Sequence, residues 1–73
     1  MKGREVIVRV LVNGEPRELE EGATLADLVA ALALAPERVA VELNREVVRR
    51  ADWHSIKVAE GDRVEIVHFV GGG

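Results

Sequence analysis

A chain of 73 residues is the length of one domain, and an apolar content of 48% is enough to fill one core. There is no cysteine, which excludes disulfides, thiolate metal sites and cysteine nucleophiles. Ten basic and 13 acidic residues leave a net charge of −3. They are interspersed, unlike the basic stripe of a nucleic-acid-binding protein, and no apolar run reaches the ~18 residues that span a bilayer. The start, MKGREV, lacks the apolar region of a signal peptide, and a small domain without disulfides suits the cytoplasm, which is the expected location.

The first element is a hairpin. Val6, Val8, Val10 and Val12 alternate with Ile7, Arg9 and Leu11, the period-two pattern of a strand with one buried face. Asn13-Gly14 is the turn, because both residues tolerate a positive φ. A short polar strand over about 15–20 follows. Pro16 cannot donate to a ladder, which places that strand at a sheet edge.

A helix comes next. Thr24 is its N-cap, with Asp27 three residues on as in a capping box. Leu25, Leu28, Val29 and Leu32 form one apolar stripe. Pro36 drives the preceding residue out of the helical region, so the helix is expected over about 25–34.

Val39, Val41 and Leu43 alternate with Ala40 and Glu42, the pattern of another strand. Asn44-Arg45 reads as a turn into a short strand at 46–48. RRADWHS, at 49–55, has no clear period and reads as a loop or a single helical turn. A short strand at 56–58, a turn at 60–62 and a last strand over 63–70 complete the order. One helix after a hairpin must bury its stripe against a sheet, and the chain is too short for a second core. The expected fold is α+β, one helix on a mixed sheet of four to five strands. Residues 1–70 form the domain, and Gly71, Gly72 and Gly73 form a flexible tail.

Few side chains support chemistry. His54 and His68 lack the spacing of a metal motif and read as surface or partly buried residues. The acidic pairs Glu20/Glu21, Glu42/Glu46 and Glu60/Asp62 read as solvated groups near turns. Gly22 and Gly61 are turn glycines outside any phosphate-binding motif. Trp53 reads as a core plug and Asn13 as a turn residue.

The tail remains. In the last strand, Val64 and Ile66 share the core face, whereas Val67 and Phe69 fall on the other face. An exposed apolar pair beside a glycine arm reads as a docking patch. Three glycines reach about 10 Å and need only the width of a peptide, so Gly71 and Gly72 can thread a narrow partner channel. The group delivered is the α-carboxylate of Gly73.

VNGE (12–15), TLADLV (24–29), VAVELNREVV (39–48), Trp53 and EGDRVEIVHFVGGG (60–73) together resemble the thiamine-biosynthesis sulfur carriers, the ThiS family of ubiquitin-like β-grasp proteins. The resemblance covers the chain from Val10 onward. It implies a β-grasp fold and a protein co-substrate with no catalytic residues, metal or bound cofactor of its own. It implies that an E1-like adenylyltransferase uses ATP to adenylate Gly73, and that a cysteine desulfurase-type donor supplies persulfide sulfur. The resulting thiocarboxylate gives its sulfur to thiazole synthase. A carrier of the same fold for molybdopterin synthesis or tRNA thiolation, a ubiquitin-like modifier and a plain interaction domain remain alternatives.

Overall fold

The computed structural model describes residues 6–69. Strand β1 (Ile7–Val12) buries Val8, Val10 and Val12 and turns Ile7 and Arg9 outward, as alternation requires. Its partner β2 (Glu15–Glu20) runs antiparallel in the register Ile7↔Glu20 to Val12↔Glu15. Asn13 (φ 51°) and Gly14 (φ 84°) close the hairpin in a two-residue turn of the primed type. In such a hairpin the pair flanking the turn is hydrogen-bonded and the next pair is not. Pro16 faces Leu11 in that second pair, so its missing N–H costs no ladder bond.

Helix α1 (Leu25–Ala31) carries the expected capping box: Thr24 Oγ1 accepts from the Asp27 amide at 3.1 Å, and Asp27 Oδ2 accepts from the Thr24 amide at 3.0 Å. Leu25, Leu28 and Val29 are buried beneath it. The helix is shorter than the span 25–34 read from the sequence. Ala33 sits in the left-handed region at φ 59° and ends it. The Ala33 amide donates to Ala30 O at 3.0 Å and the Leu34 amide to Val29 O at 3.3 Å, the paired bonds of a Schellman cap. Glycine usually holds that position, so an alanine there gives no signal in the sequence. The reversal returns Leu32 and Leu34 to the core surface, where both pack half-buried.

A short 3₁₀ turn at Pro36–Arg38 leads into β3 (Val39–Leu43). Asn44 (φ 51°) and Arg45 (φ 75°) form a second two-residue turn into β4 (Glu46–Val48). The segment 49–55, read as a loop or single turn, contains a six-residue 3₁₀ helix, Arg50–Ser55. It places Trp53 in the core at 3% exposure, with the indole N–H donating to Val48 O at 2.9 Å. The strand expected at 56–58 is absent as a sheet member. Lys57 makes one isolated bridge to Thr24, flanked by Leu25 N–H to Ile56 O at 3.0 Å and Val58 N–H to Ala23 O at 2.9 Å. That segment ties the start of α1 to the body of the fold.

Strand β5 (Arg63–His68) enters the middle of the five-stranded sheet, in the order β2-β1-β5-β3-β4. It is parallel to β1 and antiparallel to β3. The helix-side face collects Val8, Val10, Val12, Val39, Val41, Val64 and Ile66 against Leu25, Leu28 and Val29. No charged or polar residue is buried among the described residues. The last strand was expected to reach Val70; as described it ends at His68, and Val70 and the glycines 71–73 lie outside the described residues.

Candidate functional site: the end of β5 and the outer face of the sheet

The core face of β5 is sealed, with Val64 at 0% and Ile66 at 7% exposure. Its outer face is open at the far end: Val67 is 57% and Phe69 58% exposed. Phe69 continues the strand by one bond, its amide donating to Arg38 O at 2.9 Å. The register sets the surroundings. Val67 lies directly opposite Ala40, and Glu42 lies opposite Val47. Ala40 and Glu42 share one face of β3, so Val47 lies on the same side of the sheet as Val67, away from the helix. Val47 is 71% exposed. Its outward position was not drawn from the sequence, although its pairing with a polar β3 position would have revealed it. A shallow groove of about 400 Å³ runs beside this patch, lined by Pro36, Ala40, Val47, Arg49, Trp53 and Phe69 among others.

The charges on this face are sparsely paired. Arg9 Nε and Glu18 Oε2, 3.2 Å apart, form the one ion pair among the described residues, and both side chains are largely exposed. Such a pair contributes under about 1 kcal/mol. Glu42 and Glu65 stand directly opposite each other on β3 and β5, a like-charge arrangement that adds nothing to stability. Glu60 and Asp62, beside the turn before β5, have structural work. Glu60 Oε1 accepts from the Arg9 amide at 2.9 Å, and Asp62 Oδ2 accepts from the Ala59 amide at 2.8 Å. His54 and His68 are exposed, and no group of three or more potential metal ligands occurs among the described residues.

Two asparagines grip β5. Asn13 Oδ1 accepts from the Ile66 amide at 2.8 Å while Asn13 Nδ2 donates to Ile66 O at 3.2 Å. Asn44 Oδ1 accepts from the Arg63 amide at 2.9 Å, and its Nδ2 donates to Asp62 Oδ1 at 3.1 Å. The turn asparagines therefore hold the strand near both ends. Turn propensity explains their choice in the sequence, but the contacts to β5 cross long stretches of chain and have no local signal. The proposed site residues Gly71, Gly72 and Gly73 lie outside the described residues. Val67 and Phe69 are both exposed at the end of β5, with Val70 between Phe69 and the glycines in sequence.

One helix laid across a mixed five-stranded sheet, with β1 and β5 parallel at its centre, defines a ubiquitin-like β-grasp domain. The model of the ThiS family matches residues 10–73, and the chain belongs to that family. It is 39% identical over 54 residues to the sulfur carrier protein ThiS of Bacillus subtilis, covering 74% of this chain and 82% of that one. A crystal structure of the thiamine biosynthesis protein ThiS from Geobacter metallireducens superposes with a TM-score of 0.74 at 40% identity, covering 90% of this chain and all of that one. A thiazole synthase of Magnetococcus marinus is 46% identical over 66 residues, 90% of this chain; the chain spans only 20% of that relative's length.

Proposed function

We propose that this chain is a cytoplasmic sulfur carrier for thiazole formation in thiamine biosynthesis, acting as a protein co-substrate. The α-carboxylate of Gly73 attacks ATP on an E1-like adenylyltransferase, forming an acyl-adenylate and releasing pyrophosphate. The terminal sulfur of a persulfide, furnished by a cysteine desulfurase-type donor, then displaces AMP. Reduction of the acyl disulfide by a thiol leaves a thiocarboxylate on Gly73, whose sulfur passes to thiazole synthase. Val67 and Phe69 dock on the partner while Gly71 and Gly72 thread its channel.

The observation that carries this reading is the end of β5, where a strand anchored in the sheet leaves Val67 and Phe69 exposed, with one residue between Phe69 and the glycines. Membership of the ThiS family supports the carrier chemistry. The likeness of this chain to part of two proteins named thiazole synthase supports thiazole formation over the other sulfur pathways.

The test is intact-mass spectrometry after incubation with the adenylyltransferase, ATP and a persulfide donor. One oxygen-to-sulfur exchange at Gly73 is the expected product. Its absence under conditions where the enzyme activates another carrier overturns the reading. Gly72→Val is expected to retain the wild-type melting temperature and lose adenylation, because a β-branched side chain widens a segment that must pass as bare peptide. Normal adenylation of this variant would remove the channel from the mechanism.

A further inference from the structure

We propose that Asn13 is a positioning residue for the reaction at Gly73, an inference that rests on the carrier function above. The pairing of β1 with β5 ends at Val12↔Val64, where β1 turns away. Beyond that point β5 continues through Glu65 to His68 with a backbone partner on one side only, namely β3. The carboxamide of Asn13 stands in for the missing strand. It binds both polar groups of Ile66, accepting from the amide at 2.8 Å and donating to the carbonyl at 3.2 Å. The chain then runs through Val67 to Phe69, and Gly73 lies four residues further, a reach of about 13 Å.

The turn does not by itself demand this side chain. At φ 51° Asn13 occupies a conformation that glycine adopts at no steric cost, so a turn with glycine at both central positions is also sound. The two contacts to Ile66 are an addition to the turn. They set the direction in which the strand leaves the sheet, one pleat before the docking pair. Without them, the end of β5 is held on one side only, by β3 and the Phe69–Arg38 bond, and departs from the sheet for part of the time. A partner then meets a strand end that is correctly aimed in only a fraction of the molecules, and apparent affinity falls by that fraction. Once the tail is seated, the chemistry is unchanged. Asn13 thus acts on KM for the carrier and leaves kcat alone.

Asn44 supplies a matched control. It has the same φ of 51°, the same first place in a two-residue turn and two side-chain bonds of similar length, but it grips Asp62 and Arg63 at the start of β5. Asn13→Gly and Asn44→Gly are therefore expected to lower the melting temperature by similar amounts. In ATP–pyrophosphate exchange on the adenylyltransferase, Asn13→Gly is expected to raise KM for the carrier roughly fivefold, the scale of one net hydrogen bond, with kcat within about twofold. Asn44→Gly is expected to leave both constants near wild type. Amide exchange at Phe69, whose own bond is to Arg38, is expected to quicken in Asn13→Gly and not in Asn44→Gly. Equal KM changes in the two variants, or a fall in kcat, would overturn the positioning role. If the wild-type chain itself is not adenylated, the carrier reading fails, and the exchange at Phe69 still decides whether Asn13 holds the strand end.

Discussion

The hairpins β1–β2 and β3–β4 are both closed by two-residue turns with asparagine in first place, yet they are stabilised by different means. In the first, Gly14 takes φ 84° without strain and the strands pair over six residues each. In the second, Arg45 is held at φ 75°, which costs a side-chain-bearing residue about 1 kcal/mol or more, and only three pairs follow. A ladder that short does not hold itself. It persists because β3 is also paired with β5 over five positions and because the Trp53 indole caps Val48 O. At the first hairpin an unstrained turn and a six-pair ladder add to the burial of β1 and its pairing with β5, whereas the second hairpin, with a strained turn and three pairs, depends on tertiary support alone.

The most forceful way to break this contrast is Trp53→Ala. Loss of a buried aromatic costs about 3–5 kcal/mol, a large share of the stability of a domain this size. Thermal denaturation should show the loss. Hydrogen exchange should place the largest increases at β3–β4 and spare β1–β2; equal increases in both hairpins would mean that Trp53 supports the whole core without preference. A finer probe exchanges the turn residues. Arg45→Gly is expected to stabilise by about 1 kcal/mol and Gly14→Arg to destabilise by a similar amount, because the left-handed backbone penalises any Cβ. A Cβ built at Gly14 meets nothing within 4 Å, so clash does not confound the comparison. Denaturant midpoints that move together, and not in opposite directions, would show that the turns are energetically alike. The smallest effect on stability is expected for Phe69→Ala, within about 0.5 kcal/mol since the ring is 58% exposed, alongside clearly weaker association with the adenylyltransferase. A large fall in melting temperature would place Phe69 with the core.

Much of the fold is legible in single stretches of chain. The alternating valines of β1, the Asn13-Gly14 turn, the Thr24/Asp27 capping box and the burial of Trp53 are each found where the sequence puts them. The outward placement of Val67 and Phe69 follows from strand parity alone. Two departures from the local pattern have identifiable physical causes. Helix α1 ends at Ala31 because Ala33 makes a left-handed cap without the usual glycine, and residues 56–58 meet Thr24 in place of a sheet partner. Local propensity contains neither fact.

The sequence by itself determined the faces that β1, β3 and β5 bury, the two turns, the start of the helix and the family to which the chain belongs, since these depend on residue type, parity and short-range order. Only the tertiary structure decided that β5 lies between β1 and β3, that Val47 joins Val67 and Phe69 on one face, and that the Asn13 carboxamide takes the place of a strand beside Ile66. The Asn13 contact joins residues 53 apart in the chain. No local pattern encodes such a separation: the hydrogen bonds form only after the sheet has brought the two segments together, and their geometry depends on where β1 stops.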